Sequence, residues 1–595
     1  MHTTLPNSIA ALREAYANGT LNPATVVQQI IEGSRAYEAN NIWIQPPNAE
    51  LIEPFVSVLS KDNFDALPLW GIPFAVKDNI DVAGFATTAG CSAYTYTPEQ
   101  SAYCVQLLVD AGAIPVGKTN LDQFATGLVG TRSPWGATTH PDRPDHVSGG
   151  SSSGSAIAVA CGLACFALGT DTAGSGRIPA AFNSLIGLKP TRGLVSTQGV
   201  VPACQTLDCV SIFGHTVEDV QSVSAAMYKY NAADPWARQN TLANATTRTT
   251  PLSKPLTLAV IAPEDLQFFG DAHYADSWQA TLSRLQAAGV ELEAISFAPF
   301  ATAARELYEG PWVTERYLAT REVLAESPNT VMDVTAKIIA PGVKHRATEL
   351  FESMYNLAEL RTQCLAALAD KDGLLTPTAG RHYRLHDLQD DPITPNSNLG
   401  YYTNYMNLLD LCGIALPGLP TQTGMPFGIS LIGDRFTDAH LLSVASHLHS
   451  IIQGTPTLAH EFTPAAQTID LLVCGAHMQG LPLNWQLTDR NAELLYSTQT
   501  ATCYRLYALP GGPPARPGMV RDIAGGQAIG VEVWRLPIET LGSFQAGIPW
   551  PLGIGKVELA NGEWVSGFIC EQAGLEGATD ISHHGNWRNY LADAK

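Results

Sequence analysis

The stretch from Val147 to Arg177 constrains this chain more than any other. It reads VSGGSSSGSAIAVACGLACFALGTDTAGSGR, two turns rich in glycine and serine around a long apolar run. From about Ser155 to Thr170 the run is Ala/Gly-rich and carries no charge. It falls short of the ~20 residues that a membrane-spanning helix needs. A helix that is apolar all round is buried all round, so a buried helix is expected here. Cys161 and Cys165, one helical turn apart, pack in it as small hydrophobes.

The elements around that run alternate. SIAALREAYANG and NPATVVQQIIEGSRAYE predict two helices within residues 7–38. The second has Asn22 as its cap and Pro23 at its first helical position. LPLWGIPFAVKDNIDV predicts a strand that enters a loop around Lys77. SAYCVQLLVDAGAIPVGKTN predicts helix, tight turn, strand. Helices alternating with strands make an α/β core. Residues 239–256 read as a surface connection, LTLAVIAP as a strand, and a helix-rich half follows to about residue 455. PTLAHEFTPAAQ is a candidate linker, placed at 456–467. Beyond it IDLLVCGAHM, ATCYRLYAL, AIGVEVWRL and GKVELANGEWVSGFICE are short strands between Gly and Pro. They predict a separate small β-rich α+β domain over 468–595.

Composition narrows the function. The chain has 595 residues, 45% hydrophobic and only 15% charged, with a formal net charge of −21. That is a core-rich globular composition. Nucleic-acid binding needs clustered Lys and Arg, and there is no basic run. An anionic ligand would therefore be held by one or two local arginines. Eleven cysteines form no paired CxxC at zinc-finger distance. The N-terminal residues lack the basic and apolar regions of a signal peptide. A cytoplasmic protein with reduced thiols is expected, with no membrane, metal or organic cofactor.

Taken alone, the VSGGSSSGSAIAVA turn has three readings. Gly149 and Gly154 have P-loop spacing, but Ser155 and Ala156 stand where a P-loop has Lys and Ser or Thr. Gly150 to Gly154 fits GxSxG, yet PDRPDHV is a poor strand to precede a nucleophile elbow. The third reading is a turn that caps a helix. Two further segments decide among them: FAVKDNID with Lys77, and GTDTAGSGR with Ser175. With GGSSSG, in this order and spacing, they resemble the amidase signature family over roughly residues 8–455. Ala173 and Gly176 depart from that pattern, which usually has Gly and Ile there.

The resemblance implies a core of mixed β-sheet flanked by helices and a Ser-Ser-Lys relay. Ser175 would attack an amide carbonyl. Ser151, after a cis peptide bond, would pass the proton between Ser175 and Lys77, and on to the leaving amine. Backbone N–H groups of Thr172, Ala173, Gly174 and Ser175 would form the oxyanion hole. The chemistry suits these residue types. A serine hydroxyl needs a base, and lysine serves only when burial keeps it neutral. Asp171 is expected to brace the loop, and Asp78 to be structural.

Specificity falls to the second half. YEGPWVTERY spaces Tyr308 and Arg316 just over two helical turns apart, which on one helix puts them on one face. Arginine suits bidentate carboxylate recognition. This stretch, NSNLGYYTNYMNLLDLCGIALP and MPFGISLIG all resemble allophanate hydrolases, and so does the layout with a small appended domain. The resemblance implies that Tyr308 and Arg316 hold a substrate carboxylate, with Gly127 lining the pocket. It implies hydrolysis of allophanate (urea-1-carboxylate) to ammonia and N-carboxycarbamate, ending as ammonia and carbon dioxide. The rivals are an amidase for another small carboxylated amide such as malonamate, and an ammonia-supplying amidotransferase component. The last domain resembles γ-glutamyl cyclotransferase-like folds. CGAHMQGLPLN takes the place of that fold's substrate loop, and His477 is the candidate residue there. The expected partners are a small anionic amide, a second copy in a homodimer, and an upstream urea carboxylase or biuret-forming enzyme.

Overall fold

The computed structural model describes residues 6, 8–241, 244, 256–454 and 468–593. The proposed linker at 456–467 and most of the 239–256 connection lie outside the described residues. The chain divides into two compact units, Met1–Glu461 and Phe462–Lys595.

The first unit is built on one mixed sheet of eleven strands. In chain order these are β1 (Trp43–Gln45), β2 (Pro73–Lys77), β3 (Ile114–Thr119), β4 (Phe166–Asp171), β5 (Ile186–Lys189) and β6 (Cys209–Gly214). Then come β7 (Thr257–Ile261), β8 (Glu291–Ile295), β9 (Leu374–Pro377), β10 (Leu411–Pro417) and β11 (Gly428–Asp434). Across the sheet they run β1-β3-β2-β4-β6-β5-β10-β11-β9-β7-β8. β2 pairs parallel with β3 and β4, and β7 parallel with β8 and β9; the other pairs are antiparallel. The central strands β2 to β6 are buried along their whole length. They read as continuous apolar runs rather than alternating ones, as strands covered on both faces do.

The expected helices and strands of the N-terminal half are present. Asn22 caps the helix Pro23–Ala36 by accepting the Thr25 N–H at 2.9 Å. The run after the serine turn corrects the reading of one helix. A helix occupies only Ser153–Ala160, and Phe166–Asp171 is strand β4. Gly162 turns the chain between them with φ of +68°. The helix is buried from Ser153 to Val159 and packs against β2, β3, β4 and β6. Cys161 therefore caps a helix end and Cys165 leads into a strand, and both are free thiols.

Two parallel neighbours, β2 and β4, thus end side by side, with Val76 opposite Leu168. Lys77 sits at the end of one and the Asp171–Ser175 loop leaves the end of the other. That is the place where α/β sheets put ligands.

The second unit has a five-stranded sheet and a three-stranded sheet. The larger holds Thr468–Val473, Glu493–Gln499, Gly530–Pro537, Leu552–Glu558 and Trp564–Cys570, and the smaller Tyr504–Ala508, Pro517–Arg521 and Thr579–Asp580. Among the described residues no helix is long and apolar enough to cross a membrane.

Candidate active site

Lys77 is fully buried at the end of β2. Its Nζ lies 2.7 Å from Ser151 Oγ and 2.7 Å from Thr170 Oγ1. Burial pulls its pKa down to about 7, against the opposing charges of Asp122, Asp208 and Asp171. A charged amine donates to both hydroxyls. A neutral one donates to Thr170 and keeps its lone pair for the proton of Ser151, which is what a base requires.

Ser151 follows a cis peptide bond from Gly150. Its loop is tied to β4 by Ser152, whose Oγ donates to Thr170 O at 3.1 Å and accepts the Thr170 N–H at 3.2 Å. Ser151 O accepts the Asp122 N–H at 3.1 Å. The Asp122 carboxylate fills the space where both Gly127 and Gly150 lack a side chain. A Cβ on them would stand 2.5 Å and 2.1 Å from its Oδ2.

The loop after β4 carries Ser175, which is 2% exposed. Among the described residues its Oγ makes no hydrogen bond. The N–H groups of Thr172, Ala173, Gly174 and Ser175 likewise donate to no described residue. Four free donors in one turn make an anion cradle. Gly174 permits it: its φ is +147°, and a Cβ there would stand 2.4 Å from Thr403 Oγ1. Gly176 is small because a Cβ would stand 2.5 Å from Ser211 Cβ, which explains the absence of a larger residue.

Asp171 braces this loop. It accepts Arg177 Nε and Nη2, each at 2.9 Å, and the Gly176 N–H at 3.0 Å. Burial raises its pKa, but the charge and hydrogen bonds of Arg177 together with Lys189 and the Gly176 N–H outweigh that and hold it below the usual carboxylate range. Asp208 fixes the other side of the loop by accepting the Thr172 hydroxyl and the Ala203 N–H. Asp78 is structural, paired with Lys118 at 3.5 Å and bonded to Thr88.

Arg316 and Tyr308 meet, but not on one helix. The helix is Val313–Glu326, and Tyr308 lies in the turn before it, past the end of helix Ala298–Arg305. Gly310 and Pro311 break the helix that the spacing predicts, and the turn folds Tyr308 back. Arg316 Nη2 donates to Tyr308 Oη at 3.2 Å. Nη1 donates to Ala125 O at 3.2 Å and Thr126 Oγ1 at 3.1 Å. Arg316 is 1% exposed and makes no ion pair among the described residues. Phe124 and Ala125, with φ of +51° and +53°, form the strained turn that aims the Ala125 carbonyl at it. Gly127 is the next residue but one.

A model of the amidase family, described as Amidase, matches residues 57–442. The chain belongs to the amidase family. A second model, Allophanate hydrolase C-terminal domain, matches residues 469–592. The chain is 41% identical to the urea amidolyase of Saccharomyces cerevisiae over 592 residues, covering 95% of this chain and 32% of that protein. It thus spans about a third of the length of the urea amidolyases that it matches. It is 32% identical to a glutamyl-tRNA(Gln) amidotransferase component of Acidobacterium capsulatum, covering 76% of this chain and 99% of that one. Among solved structures it is similar to Kluyveromyces lactis allophanate hydrolase, at 38% identity, TM-score 0.76 and full coverage of both chains.

In the second unit His477 lines a cavity of about 210 Å³, with Gln486, Arg516, Ile548 and Phe568. Its Nε2 is 3.0 Å from Gln486 Oε1. The ring stacks on Phe568 at 5.0 Å, and burial lowers its pKa. Sequence reasoning missed Thr170, Asp122, Asp208, Thr126 and Arg132. Thr170, Thr126 and Arg132 meet partners far along the chain, and no local pattern marks any of the five. Among the described residues no group of three or more His, Cys, Asp or Glu is placed to hold a metal.

Proposed function

We propose that this chain hydrolyses allophanate, with Ser175 as nucleophile, Ser151 as proton relay and Lys77 as base. The buried Arg316, held by Tyr308 and in no ion pair among the described residues, carries this reading. A buried, unpaired guanidinium is costly unless an anion meets it. Allophanate is a small carboxylate bearing one terminal amide. Neutral Lys77 takes the Ser151 proton as Ser151 takes that of Ser175. The Ser175 oxygen attacks the terminal amide carbonyl, and the N–H groups of residues 172–175 receive the oxyanion. The relay then protonates the leaving nitrogen, ammonia departs, and water hydrolyses the acyl-enzyme to N-carboxycarbamate. Arg316, Tyr308 and the Gly127 turn hold the carboxylate throughout.

The His477 cavity is our candidate for handling the carboxylated product. It has room for a small dicarboxylate, and Arg516 on its wall offers a positive charge. The domain boundaries we assign are 1–455 and 468–595. A cytoplasmic setting fits cysteines that are all free among the described residues. A urea carboxylase or biuret-forming enzyme is the kind of partner that would supply the substrate.

The test compares ammonia release from allophanate, malonamate, biuret, glutamine and a neutral amide, for wild type and Arg316→Ala. The reading expects selective turnover of allophanate and a KM for it raised at least tenfold in the variant. Turnover of malonamate or glutamine instead would reassign the substrate. An unchanged KM would move the carboxylate anchor elsewhere.

A further inference from the structure

A second arginine is buried beside Arg316. Arg132 is 3% exposed and makes no ion pair among the described residues. Its Nη1 donates to Thr126 O at 3.0 Å and its Nη2 to Pro392 O at 2.7 Å, while Nε is buried without a partner. Thr126 is shared: its carbonyl accepts from Arg132 and its hydroxyl from Arg316. Arg132 lies close enough to feel the charges of Asp122 and Arg316.

The charges explain why two are needed. Asp122 is buried, and its carboxylate touches the positions of Gly127 and Gly150, on the wall expected to meet substrate. It is held by the N–H groups of Val129, Gly130 and Arg132 at 3.2, 3.0 and 2.8 Å. Lys77 also feels Asp122 but is only partly protonated near pH 7, and Arg316 also feels Asp208 and Glu315, so an anionic substrate in this low-dielectric site gains from a further positive charge. A second guanidinium beside Arg316 offsets Asp122.

We propose that Arg132 is a positioning residue of the carboxylate subsite: it offsets Asp122 and, through Thr126, fixes the donors of Arg316, so that the site selects a carboxylated amide. The proposal rests on the allophanate reading above. It assigns Arg132 to ground-state binding of the anion, not to the bond-breaking step, so its removal acts on KM.

The test is steady-state kinetics on allophanate with Arg132→Gln, Arg132→Lys and Arg316→Gln in parallel. Arg132→Gln is expected to raise KM at least tenfold while kcat falls less than threefold, and Arg132→Lys to recover most of that loss. A lower kcat with unchanged KM in both Arg132 variants would make Arg132 a structural brace and overturn the proposal. If Arg132→Gln does not fold, Arg132→Lys decides. A KM within threefold of wild type supports the charge role, and one as high as in Arg316→Gln refutes it. Failure of the underlying reading looks different: wild type would not turn over allophanate, or Arg316→Gln would leave its KM unchanged.

Discussion

The protonation of Lys77 sets a pH profile that follows from where the side chain sits. The lysine takes a proton only when neutral, and burial brings its pKa to about 7, from an ordinary value near ~10.4. About a tenth of the enzyme then has neutral Lys77 at pH 6, about half at pH 7 and about nine-tenths at pH 8. Below pH 7, kcat/KM should fall about tenfold per unit, and above pH 8 it should level off. The assay is initial ammonia release at substrate well below KM and constant ionic strength, with an enzyme-free blank for spontaneous decay. The same group shapes stability. The unfolded chain keeps the lysine proton up to about pH 10.4, and the folded protein releases it near pH 7. Between those values the unfolded state binds more protons, so stability rises with pH. Below pH 7 both states are protonated and folding carries the whole penalty, roughly 5 kcal/mol. Lys77→Met should remove that slope together with activity. A kcat/KM that is flat from pH 6 to 8, or that inflects near pH 10, would refute the claim that a neutral buried lysine is the base.

The oxyanion loop gives two further expectations. Gly174→Ala places a Cβ against Thr403 Oγ1 at a positive φ, so kcat for ammonia release should fall by about 100-fold or more; activity near wild type would mean the loop is not the oxyanion hole. Asp171→Asn leaves Arg177 buried without its carboxylate, a loss of about 3–5 kcal/mol, read as a lower melting temperature at neutral pH. Because the Asp171 pKa is depressed, the wild-type protein should lose this contribution only as pH falls through that low value, and the variant should lack that step. An unchanged melting temperature would mean that the pair does not brace the loop.

The Lys77–Ser151 contact was legible because each residue stands in a distinctive segment, a lysine ending an apolar strand and a Gly/Ser loop. The Tyr308–Arg316 contact was legible in outcome and wrong in cause. Regular spacing suggested one helix, whereas the Gly310-Pro311 break and a turn make the contact. The run after Ser153 was misread because short apolar stretches fit a buried helix and a buried strand equally well. Gly162, rather than any periodicity, marks the change. Thr170, Asp122 and Arg132 left no local signal. Thr170 meets Lys77 across 93 positions and Arg132 meets Pro392 across 260, so only the folded sheet brings them together.

The central claim is that Ser175 opens the terminal amide of allophanate. It is tested most directly by ammonia release from freshly made allophanate, for purified wild type and Ser175→Ala, with melting curves to show that both are folded. The account predicts sustained release by wild type and none above the blank by the folded variant. Turnover by Ser175→Ala, or a folded wild type inert to allophanate yet active on another amide, would contradict it.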